Sequence, residues 1–252
     1  MSQSQFFLVD LSIATEDCDK SLAGVFESYT ESGAKYQAIY GECHNIDHDD
    51  DEDEEKWSNS ISECAEDDDD IEDDVFTYSV NSCHALQITE TTLDNKIIKL
   101  AVLPIAKRHD NEETTVEETV IQSETDEKPF LTEVKWMVEG YEKNLNPIVW
   151  AVDKQEAMKL SLLAESENLP DEDDEDYDEI RAKLLQEIEN SNDISVCENS
   201  GLHLAEWSGL YVAEWAEQLQ SVDFILDGNV YTGMIDPTEE NQPVLVYMPR
   251  LK

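Results

Sequence analysis

Residues 5–40 read QFFLVDLSIATEDCDKSLAGVFESYTESGAKYQAIY, and the fold class turns on how their hydrophobic residues are spaced. Phe7, Val9, Leu11 and Ile13 recur at every second position, the period of a half-buried strand. Thr15 then offers a helix cap, with Glu16 and Asp17 in the first turn behind it. Leu22, Val25, Phe26 and Tyr29 fall at i, i+3, i+4 and i+7, one face of a helix, and Gly33 suits its stop. Tyr36, Ala38 and Tyr40 alternate again. The stretch predicts strand, helix and strand in that order.

Working outward, Val75–Val80, Ala85–Thr89 and Lys96–Leu103 read as strands, with Asp94-Asn95 as the turn between the last two. Leu131, Val134, Val138 and Tyr141 have helical spacing, although Val134, Trp136 and Val138 also alternate; the expectation is a helix. Ile148–Val152 reads as a buried strand. Asp153 with Glu156 forms a capping box that opens a helix through Ala164. Ile180, Leu184 and Ile188 mark another helical stripe. Leu204, Trp207, Tyr211 and Trp215 read as an aromatic helical face, and the echo of Ala205-Glu206-Trp207 in Ala213-Glu214-Trp215 reads as core packing. Asp227-Gly228, between Phe224–Leu226 and Val230–Ile235, signals a hairpin, and Val244–Met248 a last strand. Short strands without regular βαβ alternation predict an α+β fold with mixed or antiparallel sheet. The expected organisation is one α+β domain or two closely packed lobes, 1–128 and 129–252, with an acidic insertion at 45–74.

Charge is the dominant compositional fact. Sixty-one Asp and Glu face 16 Lys and Arg, a formal net charge of -45 over 252 residues. Asp47–Glu55, Glu66–Asp74 and Asp171–Glu179 each hold eight acids in nine positions. A halophilic surface would spread its acids evenly; these are in runs. Blocks of like charge repel, so residues 45–74 are expected to form an extended excursion, with Lys56–Ile61 as an apolar island. The third run leads directly into a helical stripe, where acids at a helix N-terminus are favourable. The candidate partner-binding residues are Asp49, Asp50, Asp51, Glu52, Asp53, Glu54 and Glu55 in the first run. In the second they are Asp67, Asp68, Asp69 and Asp70, and in the third Asp171, Glu172, Asp173, Asp174, Glu175 and Asp176.

Other chemistries find little support. GxSxG, HExxH, Walker and GxGxxG patterns are absent, and eight glycines leave few phosphate-cradling loops. No catalytic residue and no cofactor are expected. Thinly scattered bases make no patch for direct nucleic-acid binding. Cys43, His44, His48, Cys64, Cys83 and His84 match no zinc spacing. Asp47, Asp49, Asp51 and Asp53 imitate a calcium loop, but Glu52 stands where its glycine belongs and Ser58 where its bidentate Glu belongs. Asp223, between Val222 and Phe224, fits a strand's outward face. The odd count of five cysteines argues for free thiols and a cytoplasmic protein. Neither a signal peptide nor a membrane span is expected.

The runs carry the functional expectation. Carboxylates about 6 Å apart repel by about 0.7 kcal/mol in water, so a Lys- and Arg-bearing partner both relieves repulsion and adds attraction. The three runs resemble, in composition, the acidic nucleic-acid-mimic inhibitors encoded by bacteriophages and mobile elements. That resemblance implies a host nuclease, RNA-degrading or defence enzyme as partner, held at its nucleic-acid-binding surface. These inhibitors share no fold or motif, so no residue role transfers. Two alternatives use the same electrostatics: a chaperone or escort of a basic protein, and an immunity protein or antitoxin against a basic nuclease. A homodimer is a further expectation, since a two-fold mimic suits a two-site target.

Overall fold

The computed structural model describes residues 3–16, 18–43, 51–73, 75–104, 126–170, 174–191, 201–239 and 243–252. Strand β1 (Gln5–Ala14) forms as its alternation predicts, burying Phe7, Val9, Leu11 and Ile13 on one face. The next two elements reverse the expectation. Residues 19–28 are a strand, β2 (Asp19–Ser28), paired antiparallel with β1 along its whole length. Leu22 and Phe26 sit opposite Leu11 and Phe7. A spacing of four fits both a strand and a helix, and the tight turn closed by Thr15 N–H on Cys18 O decides for the strand. Gly24 helps, because a Cβ there would lie 2.7 Å from the Phe26 ring.

Helix α1 (Glu31–Glu42) replaces the strand expected at 36–40. Thr30, not Thr15, is its cap: the Thr30 hydroxyl accepts from Gly33 N–H at 3.0 Å. Helix α2 (Asp51–Asp67) then replaces the extended excursion. Short β3 (Ile71–Glu72) and β4 (Thr77–Ala85) complete an antiparallel sheet in the order β2-β1-β4-β3.

Strands β5 (Gln87–Leu93) and β6 (Lys96–Val102) form the hairpin predicted at Asp94-Asn95, both of which adopt the left-handed conformation. β7 (Lys128–Val138) is a strand where a helix was expected: the Val134, Trp136, Val138 alternation wins. Its hairpin partner β8 (Tyr141–Leu145) follows the two-residue turn Glu139-Gly140. β9 (Ile148–Ala151) forms where a buried strand was expected, but only Ala151 is buried and Trp150 is exposed. α3 (Lys154–Glu165) matches the sequence, with Asp153 accepting from Glu156 N–H at 2.9 Å. α4 (Tyr177–Ser191) carries the predicted stripe.

The aromatic face expected as a helix is instead the hairpin β10 (Leu202–Glu206) and β11 (Gly209–Gln218). Strand geometry splits those aromatics: Tyr211 is fully buried, Trp215 is half-exposed, and Trp207 lies in the turn, 89% exposed. Neither tryptophan of the Ala-Glu-Trp echo is a core residue. These strands form a five-stranded antiparallel sheet in the order β10-β11-β7-β8, with β9 also on β7.

β12 (Gln220–Leu226) and β13 (Asn229–Ile235) make the Asp227-Gly228 hairpin. The last predicted strand divides into β14 (Val244–Leu245), parallel to β6, and β15 (Tyr247–Leu251), antiparallel to β13, with Met248 at φ +48° after the switch. Thr89 and Thr91 hydroxyls reach the carbonyls of Ile225 and Asp223, joining the two three-stranded sheets around one small core. Asp223 faces outward, bonded to Thr232 and Lys252.

The result is an α+β fold. Its main core joins Leu11, Ile13, Ile61 and Phe76 to Trp136, Leu162, Ile188 and Tyr211. The smaller core holds Leu100, Val102, Val222, Phe224, Ile235 and Val246. Both draw on chain from either side of residue 128. Among the described residues, no helix is long and apolar enough to cross a membrane.

Candidate functional site: acidic helices on a shared core

The first acidic run is built into α2 rather than looped out. Trp57, Ile61, Cys64 and Ala65 turn inward, Ile61 and Ala65 fully buried. Tyr36 and Tyr40 of α1, stacked 5.5 Å apart, grip the helix: Tyr36 shares a 2.9 Å hydrogen bond with Ser58, and Tyr40 donates to Glu54 at 2.9 Å. Glu54 is therefore partly engaged, while Glu55 is exposed. Asp51, Glu52 and Asp53 lie in the first turn of α2, and Asp49 and Asp50 lie outside the described residues. The alternation of Tyr36, Ala38 and Tyr40 predicts a strand; the i, i+4 spacing of the two tyrosines is the signal in the sequence for this clamp.

The second run divides between fold and solvent. Asp68 takes the left-handed conformation (φ +56°) just past α2, and Asp69 N–H closes on Cys64 O at 3.2 Å, ending the helix in a Schellman turn. Asp68 also accepts from Lys35 Nζ at 2.6 Å; Glu31 flanks the same ammonium at 2.9 Å, and these carboxylates hold the Lys35 pKa above its usual range. Asp70 accepts from Ser79 at 2.6 Å. Asp73 caps Val75 and Phe76 N–H and accepts from Tyr78 OH at 2.7 Å. Glu66, Asp67, Asp69 and Glu72 remain exposed. Asp67 and Asp69 are thus free to meet a partner, whereas Asp68 and Asp70 also serve the fold.

The third run lies at the entrance to α4. Asp174, Glu175 and Asp176 are exposed, as are Asp178 and Glu179 in the first turn. Backbone carbonyls of Asp174 and Asp176 accept from Tyr177 and Ile180, so the run leads into the helix. Asp171, Glu172 and Asp173 lie outside the described residues. Leu184 and Ile188 anchor α4 in the same core that holds Ile61 of α2. The two helices rest on different neighbours, α2 on α1 and α4 on α3 and β10. The runs therefore share one scaffold without forming one cluster.

No family model, curated protein or solved structure matches the chain.

Helix polarity separates the runs. Acids at 174–179 and 51–55 meet the positive ends of α4 and α2, where they are favoured. Glu66 and Asp67 occupy the negative end of α2, whose last turn has no base to offset them. The second run is thus the one in which a basic partner would relieve most strain.

Charge is also unevenly shared along the chain. Residues 87–102 and 220–252, which build the smaller core, hold seven acids and four bases. Nearly all of the excess of -45 belongs to the rest.

Two interior networks hold the acidic body rigid. Lys143 is enclosed: its Nζ reaches the Glu42 carboxylate at 3.1 Å and the Glu42 carbonyl, and lies 5.1 and 5.0 Å from the Phe76 and Tyr78 rings. Burial lowers its pKa, although Glu42 opposes the shift. Glu167 accepts from Tyr211 OH at 2.6 Å and from the Ser208 hydroxyl, beside Cys18 and Lys20. Burial alone would raise the Glu167 pKa; bonds from Cys18, Ser208 and Tyr211 outweigh it and hold the carboxyl below its usual range. The same burial, with Glu167 nearby, pushes the Cys18 thiol up to about 12. Cys18, Cys64 and Cys83 are free thiols, and among the described residues no His, Cys, Asp and Glu gather as a metal site.

Proposed function

We propose that the protein is an acidic binding protein that occupies a basic, nucleic-acid-binding surface of a partner and so inhibits it, without turnover of its own. The observation that carries this reading is the anchoring of α2 and α4 in one core, with the exposed acids of all three runs fixed to them. A flexible acidic tail loses conformational entropy when it binds; a charge array already ordered on helices avoids most of that cost. The spacing is also suitable. α2 spans about 25 Å and its sequence holds eight acids. Averaged over the helix that is one charge per about 3 Å of axis, a linear density close to one phosphate per about 3.4 Å along one nucleic-acid strand, with the acids gathered at 51–55 and 63–67.

The test begins with affinity purification from the native host cell, which names the partner. A competition titration then combines that partner, labelled nucleic acid and this protein at several salt concentrations. Mutual exclusion that weakens steeply with salt is the expected result. Simultaneous binding of nucleic acid and this protein would refute mimicry, as would unchanged affinity after neutralising all three runs. Recovery of a nascent basic structural protein in place of a nucleic-acid-binding enzyme would identify an escort.

A further inference from the structure

A cavity of about 490 Å³ opens where three turns meet. Its floor is Val75, Met137 and Val138; Glu16, Glu139 and Trp207 complete the wall, and no lysine or arginine lines it. Glu16 and Glu139 are exposed, and Trp207 is the most exposed large apolar side chain among the described residues.

The backbone around that indole is unusually well held. Trp136 Nε1 donates to Ser208 O at 3.3 Å, and the Ser208 hydroxyl is bonded to Glu167 and lies 3.1 Å from Tyr211 OH. Gly209 sits at φ +146°, and a Cβ there would fall 2.5 Å from Met137 O, so the β10–β11 turn presses directly on the end of β7. Glu139 adopts φ +52°, a left-handed conformation that glycine takes more readily than glutamate. The Thr15–Cys18 turn that presents Glu16 is closed at 2.7 Å. The frame is fixed, while the indole and both carboxylates carry no hydrogen bond, ion pair or ring contact within the described fold.

We propose that this cleft receives an arginine side chain of the partner, its guanidinium stacked on Trp207 between the carboxylates of Glu16 and Glu139. The proposal rests on the reading of the partner as basic, and adds a specific anchor to a diffuse attraction. Carboxylates without a neighbouring base exclude phosphate and other anions from the cleft. A tryptophan face attracts cations more strongly than other aromatic side chains do. Arginine fits better than lysine, because a planar guanidinium stacks on the indole while donating sideways to carboxylates. The Val75, Met137 and Val138 floor suits the arginine's methylene stem.

The test needs no partner. N-acetyl-arginine amide is titrated into the protein at constant ionic strength, and the Trp207 indole N–H and Gly209 amide are followed by NMR, with Trp207→Phe assigning the indole. N-acetyl-lysine amide and N-acetyl-citrulline amide, the uncharged isostere, are the controls. Saturable shifts confined to the cleft are expected with arginine, with Kd on the order of 1–10 mM. Lysine should bind about threefold more weakly, and citrulline should give no saturation. Glu16→Gln with Glu139→Gln should weaken arginine about tenfold, and Trp207→Leu about threefold, read at Gly209. An unchanged Gly233 amide, far along the chain in β13, shows that each variant folds. Equal shifts with citrulline, or arginine shifts scattered over the acidic helices, would overturn the proposal. If the titration fails while the salt-sensitive competition holds, only the anchor is lost. If the cleft binds arginine and the competition fails, the cleft survives and mimicry does not.

Discussion

Lys35 Nζ lies 2.6 Å from Asp68 Oδ1, while the adjacent Asp67 points to solvent. Two neighbours in one acidic run therefore have opposite relations to the fold. Asp68→Ala should destabilise the protein by about 2 kcal/mol. About half comes from forcing alanine into the left-handed turn and about half from the lost ion pair, discounted for its exposed carboxylate. Asp68→Asn keeps a residue that tolerates the turn and should lose only the second part. Asp67→Ala should cost nothing. Urea denaturation of the three variants checks this; equal losses for Asp67→Ala and Asp68→Ala would contradict the assignment.

Neutralising acids at the two kinds of helix end should change stability unequally. Glu66→Gln with Asp67→Asn removes charge from the negative end of α2 and should raise Tm by about 1–3 °C. Asp176→Asn with Asp178→Asn removes charge from the positive end of α4; the lost dipole interaction there opposes the relief of general repulsion. This pair should lower Tm, or raise it less than the first. Thermal unfolding in low salt reads the contrast, which should shrink in about 1 M salt, where screening acts within about 3 Å.

Acid should reveal Glu167. Its carboxyl is held below the usual glutamate range in the folded chain, so it contributes stability at pH values above that range. The contribution is lost as pH falls through the folded pKa. Wild type should exceed Glu167→Gln in stability at about pH 6, and the advantage should be smaller at about pH 3. Urea midpoints at the two pH values decide it. A gap that stays constant would show that Glu167 acts only by shape.

The described thiols should be poor nucleophiles. Burial pushes Cys18 up to about 12 and Cys83 up to about 11, and raises Cys64 as well. Alkylation by iodoacetamide at about pH 8 should run at least about tenfold slower at Cys18 and Cys83 in the native protein than in urea, because thiolate is the reacting form. Mass spectrometry of the labelled peptides gives the rates site by site. Native rates equal to those in urea would place these thiols in open solvent.

What was legible in the sequence was local chemistry. The Asp153 cap, the Asp94-Asn95 and Asp227-Gly228 turns and the alternation of β1 each need only a few neighbouring residues, and each appears in the fold. Misreadings arose where local patterns fit two answers. Leu22 and Phe26 satisfy both periods, and only pairing with Leu11 and Phe7 settles them. Thr15 and Thr30 each precede a glutamate, yet only the second caps a helix. Trp207 and Trp215 have the spacing of one helical face, but Trp207 lies in the β10–β11 turn and Trp215 in β11. The acidic runs were visible from composition. Which acids serve the fold was not, because the Lys35 partner of Asp68 is 33 residues away.

The smaller core joins residues 87–102 to residues 220–251, and this spacing governs how the chain is made. At about 5–20 residues per second, the apolar edges of β5 and β6 wait on the order of ten seconds for their partners to emerge from the ribosome. During that wait they are the segments of the nascent chain most prone to pair with a neighbour's. The polypeptide synthesised before and between them is strongly anionic, so adjacent chains on one messenger repel each other while the strands stand open. The acidic runs thereby keep nascent copies of the protein apart.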